Sequence, residues 1–522
     1  MQRLVSLAAL TLVVTPLQAQ MATPAKPAES TALTRAAGTI TAPDIARKVG
    51  IIAHDSMQGR DTPSRGLDMT AQWVADEFER AGLKPGGEKG TWFQRYPILR
   101  MKLDTERSKV GFTGAKGSWG GTFTGNVIRL QGAIPKEPIK GEVLLLAGPV
   151  DSASVTPALV RGKVLLVAAT FTQGSPAVFK AGAGAVEQGA EAIVLTAGRD
   201  GNFFDAQVRR AGRTDVSRPG TARGLGRVPV VEVRGTTLDS ALSAYGVDLA
   251  AMRATTTPVI RVIEGLSVEL ALASARNEEL TAPNTVGIIE GSDPKLKHEY
   301  VLFTAHMDHV GHSADGRCRA QGADSICNGA DDDASGTVGV VELAQAFAAK
   351  GARPKRSMVF MTVSGEERGL WGSAYWADHP TLPLENVVAN INIDMIGRNW
   401  PDTIVAIGKE HSDLGATLNR VNAAHPELRM TAIDDKWPEE NFYRRSDHYN
   451  FARKGVPILF FFNGVHDDYH QPSDSPDKID AEKMARLTQL LFYLGQDLGN
   501  AAGRPVWNPD SYKAVVEPGK TS

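Results

Sequence analysis

The sequence predicts an α/β protein with a mixed, mostly parallel sheet sandwiched by helices, and three observations lead there. The chain has 522 residues, enough for roughly three compact units and a large buried core. Hydrophobic residues make up 42% and charged residues 22%, which is ordinary for globular domains and excludes wholesale disorder and fibrous repeats. From about Thr281 onward, near-continuous apolar runs alternate with helical patterns, as in a sheet covered on both faces. The net charge of −2 gives the whole chain no reason to seek nucleic acid or anionic lipid, so a small neutral or mixed-charge substrate fits better.

Taken in order, residues 1–19 read as a secretory signal peptide: Arg3 opens it, Leu4 to Leu17 is largely apolar, and Ala19 is a small residue at the expected cleavage point. The run is too short and too interrupted for a membrane span, and no later segment spans one either. The mature protein is therefore expected in the periplasm or medium, where Cys318 and Cys327 meet an oxidising environment. Residues 20–40 read as a flexible leader. Asp68 to Ala81 has helical periodicity and stops at Gly82. A different texture follows over residues 140–265, with β-rich runs at Glu142 to Ala147, Gly162 to Ala169, Ala192 to Leu195 and Val228 to Val233, and a small-residue helix from Pro176 to Gly189. Arg209 to Arg227 holds six arginines against one aspartate. That is a solvated loop or, alternatively, a surface for an acidic ligand.

The later strands are Tyr300 to Ala305, Ser357 to Val363, Val387 to Ile393, Thr403 to Ile407 and Val456 to Phe462, with a helix from Gly336 to Ala349. Ligands in such sheets gather beyond the carboxyl ends of the strands, and that is where the chemistry-bearing residues fall. One strand runs into His306-Met307-Asp308-His309, whose loop leads to Gly329-Ala330-Asp331-Asp332-Asp333-Ala334-Ser335-Gly336. Others run into Glu366-Glu367 and Asp394, and the last is followed by Asp468-Tyr469-His470. Histidines with carboxylates suit zinc or a similar divalent ion. Each piece has a bland reading as a helix cap or solvated turn, but all of them at strand ends in one unit point to a metal site.

These segments, with Gly82-Leu83-Lys84-Pro85, the GEERGLWGS run and the SDH and DYHQPSD runs, resemble the co-catalytic zinc aminopeptidases, whose superfamily includes glutamate carboxypeptidases, glutaminyl cyclases and the transferrin receptor. The resemblance implies a zinc exopeptidase fold over residues 41–139 and 266–505, a protease-associated insert over 140–265 and a tail over 506–522. It implies two zinc ions per chain: His306 and Asp394 on one, Glu367 and His470 on the other, Asp332 bridging. Glu366 is then the general base, Tyr469 a donor to the developing oxyanion, and Asp308 a carboxylate that holds the His306 imidazole. Two metal ions in such a site clamp the attacking and leaving oxygens.

The expected activity is removal of N-terminal residues from peptides. Carboxypeptidase, glutaminyl cyclase and non-catalytic receptor-like readings remain alternatives. Only 52 residues follow His470, too few for the helical dimerisation region of the large carboxypeptidases, and the full ligand set disfavours the cyclases and the receptor. His309, His312 and His448 have ordinary hydrogen-bonded readings, Asp474 is expected to orient His470, and Asp331 and Asp333 to cap the helix and shape its loop. Arg444 and Arg445 read as surface arginines or contacts for a substrate carboxylate. Cys318 and Cys327, nine positions apart, are expected to form a disulfide. Peptide is the expected partner; the oligomeric state is open.

Overall fold

The computed structural model describes residues 31–132, 134–169, 176–196, 201–210, 214–220, 224–234, 237–315 and 317–516. The expected signal segment, 1–19, lies outside them. Among the described residues no helix is long and apolar enough to cross a membrane.

Eight strands carry the argument: β1 (Phe93–Gly114), β2 (Val259–Ile289), β3 (Tyr300–His306), β4 (Ser357–Val363), β5 (Val387–Ile393), β6 (Thr403–Ile407), β7 (Thr431–Ile433) and β8 (Ile458–Phe461). Their order across the sheet is β7-β6-β8-β5-β3-β4-β2. Pairs β3/β4, β3/β5, β5/β8 and β6/β7 are parallel, while β2/β4 and β6/β8 are antiparallel. The apolar runs alternate between two cores, since successive side chains leave a strand on opposite faces. Val301, Phe303 and Ala305 of β3 join Met358 and Phe360 of β4 in one core, against the helices Gly336–Ala348 and Ala481–Asn500. Leu302, Val359, Met361 and Val363 enter the other, with Trp376 and Phe451.

The middle of the chain forms a sheet of its own kind. Ile139–Ala147, Val164–Ala168, Ala192–Thr196 and Val230–Val233 pair in parallel, with Val127–Gln131 antiparallel at the edge. The helix Pro176–Glu187 packs Val178, Ala181 and Ala185 on one face of it. This unit is α/β rather than simply β-rich, because parallel neighbours need crossover connections. It does not hang from loops. Strand β2 pairs with Ile139–Ala147 at its start and with β4 at its end, and β1 runs antiparallel along much of its length. Residue 265, where a boundary was expected, lies inside β2.

The expected leader is shorter at its end nearest the fold. Thr31–Ala37 is helical, and Ala36, Ala37 and Ile40 are buried in the main core, as a run with strong helix formers allows. The tail, 506–522, is helical over Pro509–Val515 and buries Val515.

Under the sheet, Lys48 is wholly buried with its Nζ 2.5 Å from Glu342 Oε1 and 2.8 Å from Asp44 Oδ2. Burial pushes the Glu342 carboxyl up to about 7 despite that cation. Breaking one side of such a pair costs about 3–5 kcal/mol, whereas replacing both sides with apolar groups is close to neutral. Lys48→Met is therefore expected to lower Tm sharply, and adding Glu342→Leu to recover most of the loss. Calorimetry of both variants checks this, and a double variant as unstable as the single one would refute it.

Candidate metal centre

The expected site residues gather beyond the ends of strands whose other side chains are locked in the two cores, with Asp332 in the loop that enters the helix Gly336–Ala348. His306 ends β3, Glu366 and Glu367 follow β4, Asp394 follows β5, and His470 lies in the loop after β8. Two glycines make the loops possible. Gly365 has φ +72°, and a Cβ there would lie 2.5 Å from the Tyr96 hydroxyl. Gly329 has φ +56°, and a Cβ there would lie 2.1 Å from the Asp332 carbonyl oxygen.

The structure brings His306, Asp332, Glu367, Asp394 and His470 to one place. The Asp332 carboxylate divides between two groups: Oδ1 lies 3.2 Å from His306 Nε2, and Oδ2 lies 3.1 Å from His470 Nε2. Asp394 Oδ1 is 3.6 Å from His306 Nε2, and Glu367 Oε1 is 3.1 Å from His470 Nε2. His309 joins the second group, its Nδ1 3.0 Å from Glu367 Oε1. Asp332 Oδ2, Glu367 Oε1, His470 Nε2 and both His309 ring nitrogens are buried without a hydrogen-bond partner. Unpaired buried polar atoms are costly, and histidine nitrogens facing carboxylate oxygens are the donor set of zinc.

Asp333 also lies within reach of His306 and Asp394, but backbone donors occupy it. Its Oδ2 accepts from His306 N at 3.1 Å, and its Oδ1 from Gly336 N at 2.8 Å and Met395 N at 3.1 Å. It caps the following helix, as expected. Asp331 does not: its Oδ1 accepts from Gly397 N at 2.6 Å, and its Oδ2 lies 3.2 Å from His466 Nε2.

Two supporting roles differ from expectation, and a third residue was not expected at all. His306 Nδ1 lies 3.2 Å from the Asp308 backbone carbonyl, while the Asp308 carboxylate is 3.7 Å away. That carboxylate instead accepts from Thr62 Oγ1 at 2.9 Å and Glu366 N at 3.3 Å, so it ties the Glu366 turn to the Thr62 segment. Asp474 does not orient His470. It accepts from Asp331 N and Asp332 N, each at 3.1 Å, and thereby fixes the backbone of the bridging residue. Arg60 carried no sequence signal, yet it is fully buried and donates to the carbonyls of Met307 at 2.9 Å, Ile52 at 2.9 Å, Asn328 at 2.5 Å and Gly329 at 2.9 Å. It clamps the His306 loop to the Asp332 loop.

His448 is a core residue, with Nε2 2.7 Å from the Tyr443 carbonyl; burial pushes its pKa down to about 3. His312 is held within its own loop, where Nδ1 accepts from Ala314 N at 2.9 Å. Cys318 and Cys327 are joined as a disulfide with Cα atoms 5.7 Å apart. Tyr469 stacks on His470 at 3.8 Å between ring centroids. Beside it a cavity of about 60 Å³ is walled by Glu366, Asp394, Phe442, Arg445, Phe462 and Val465. Arg445 there pairs with Glu440 at 3.1 Å, while Arg444 turns toward the Tyr449 ring.

Residues 284–495 match the profile described as Peptidase family M28. This segment belongs to peptidase family M28. The M28 segment contains His306, Asp332, Glu367, Asp394 and His470. The chain is 27% identical over 198 residues to a probable zinc metalloprotease of Pyricularia oryzae, covering 32% of this chain and 38% of that protein. It is 28% identical over 224 residues to Aminopeptidase YwaD of Bacillus subtilis, covering 40% and 43%. The chain thus spans less than half the length of these two curated relatives. An aminopeptidase from Aneurinibacillus sp. strain AM-1 shares the fold, with a TM-score of 0.52 at 18% identity over 92% of this chain and 98% of that one.

Groups that hold a metal site's ligands typically matter about 10–100-fold in metal affinity. Asp474→Ala, which frees the Asp331 and Asp332 amides, is expected to weaken zinc binding by that factor. Competition with a metal indicator measures it, and unchanged affinity would remove Asp474 from this role.

Proposed function

We propose that the chain is an exported zinc exopeptidase that removes N-terminal residues from peptides, with two zinc ions per chain. The observation that carries the reading is the division of Asp332, one oxygen facing His306 and the other facing His470 and Glu367. His306, Asp394 and Asp332 would hold one ion; Glu367, His470 and Asp332 would hold the other, with His309 beside it. Bound zinc supplies Lewis-acid polarisation of the scissile carbonyl and lowers the pKa of water.

The chain's own residues supply the rest. Glu366 lines the cavity and takes the proton from the attacking water. Burial pushes its carboxyl well above the usual range, helped by Glu367, Asp447 and Asp394 and opposed by His306. Tyr469, stacked on His470, donates to the carbonyl oxygen as negative charge develops there. Glu366 and Asp394 accept from the free amine of the substrate. Met395, Phe442, Phe460, Phe462 and Val465 give the same cavity apolar walls for the first side chain. Export is supported by the apolar start of the chain and by the disulfide.

Glu366→Gln is expected to retain bound zinc yet lose about 100-fold or more in turnover, as for removal of a general base. Glu367→Gln is expected to lose zinc instead. Metal content and kcat on the same samples check both, and the reverse pattern would exchange the roles.

The direction of attack follows from the carboxylates around the ions. N-acetylation of a peptide is expected to abolish its cleavage, and C-terminal amidation to leave cleavage in place at a higher KM. Efficient hydrolysis of the acetylated peptide, lost on amidation, would make the enzyme a carboxypeptidase.

A further inference from the structure

A second cavity, of about 500 Å³, opens where the inserted unit meets the M28 segment, and its volume is that of a ligand site. Its walls carry Arg100 and Lys102 from β1, Arg276 from β2 and Arg368 from the Glu366 turn, against one carboxylate, Asp61. Thr214 and Val216 close it from the inserted unit.

The positive charge there is not internally balanced. Arg368 Nη2 lies 2.6 Å from Asp61 Oδ2. Arg276 Nε is 2.9 Å and Arg100 Nη1 3.5 Å from the single carboxylate of Glu278. Among the described residues no carboxylate pairs with Lys102. Lys102 and Arg276 are also direct register partners on the antiparallel pair β1/β2, where like charges oppose each other at a cost in stability.

One turn contributes a residue to each cavity. Glu366 lines the small apolar cavity and Arg368, two residues on, lines the basic one. Arg317, from the loop that joins His309 to Asp332, donates to the Glu367 carbonyl between them. A substrate held at Glu366 therefore has the basic cavity on the other side of the same turn, through Arg368. Each further residue advances the chain by about 3.3–3.6 Å.

We infer that this basic chamber binds a carboxylate on the leaving side of the scissile bond. The source is either the C-terminal carboxylate of a short peptide or an acidic side chain at the same distance. The inference rests on the exopeptidase reading of the metal centre. No bond is made or broken in the chamber: Lys102 and Arg276 donate charge-assisted hydrogen bonds that hold the substrate.

The test compares the peptides Leu-Gly-Gly, Leu-Gly-Gly-amide and Leu-Gly-Asp-amide on wild type, Lys102→Gln, Arg276→Gln and the double variant, at low ionic strength. In wild type, KM for a carboxylate-bearing peptide is expected to be about tenfold below that of Leu-Gly-Gly-amide, the size of one charge-assisted contact. In the double variant the ratio falls to about twofold. Preference for Leu-Gly-Gly identifies the chain terminus as the source, and preference for Leu-Gly-Asp-amide identifies the side chain. A purely structural role for Lys102 and Arg276 would move all three peptides alike and leave the ratio intact, which overturns the proposal, as does a wild type with no preference. Calorimetric binding of Gly-Gly-Gly and its amide separates the two readings. Carboxylate-dependent binding that the double variant loses, without turnover of any peptide, keeps the chamber and removes the exopeptidase. Turnover of all three peptides at one KM keeps the exopeptidase and removes the chamber.

Discussion

Carboxylates gathered beyond the ends of neighbouring strands repel one another, and the surroundings of the metal centre are organised to answer that repulsion. Two unit charges 4 Å apart interact by about 4 kcal/mol at the effective dielectric of a protein site, and here Asp308, Asp331, Asp332, Asp333, Asp394, Glu367 and Asp474 are buried close together. Most are answered by the protein itself. Backbone amides hold Asp333 and Asp474, Thr62 and the Glu366 amide hold Asp308, and the Gly397 amide holds one oxygen of Asp331, whose other oxygen faces His466 outside the two ligand groups. What is left is Asp332, Glu367 and one oxygen of Asp394, each facing histidine nitrogens. Subtracting the satisfied carboxylates defines the cation site more sharply than listing every acid nearby.

The same subtraction explains what could be read from sequence. The alternation of apolar strands and helices is a local pattern, so the sheet, its two cores and the strand ends were legible. Of the five residues that converge on the site, His306, Glu367 and Asp394 fall at or directly after those strands, while Asp332 and His470 fall in short motifs in the loops beyond them. Roles that depend on partners far along the chain were not legible. Arg60 reaches carbonyls of Met307, Asn328 and Gly329 more than 240 positions away, and nothing in its neighbourhood marks it. Asp474 sits near His470 in sequence but serves Asp331 and Asp332 in space, because the loop after β8 folds back under the bridging residue. The Asp308 carboxylate misses the imidazole because the chain turns there, putting its carbonyl in the way. His309, one residue beyond, is carried by that turn into the second ligand group.

The inserted unit raises a different point. Its pieces look small and apolar in sequence, and periodicity cannot tell parallel strands from antiparallel ones in short runs. Strands β1 and β2 escape the sequence for another reason: each is long, strongly twisted paired structure interrupted by bulges at Ala271/Ala273 and Ser274/Arg276, so the alternation breaks in register where the two units meet.

Strand β2 pairs with Ile139–Ala147 at its start and with β4 at its end, with β1 alongside it, so one strand joins both units. Arg218 of the inserted unit adds a second tie, donating to the Trp371 carbonyl at 2.7 Å in the segment that follows Glu366 and Glu367. A loop-hung insert would leave the distance between metal ions and inserted surface free to vary. A shared ladder holds it, and a cavity built on that ladder can measure out a substrate from the scissile bond to a distant charge. On the proposed reading, the junction between the units would then sense length and terminal charge, and the cavity beside Tyr469 the first side chain.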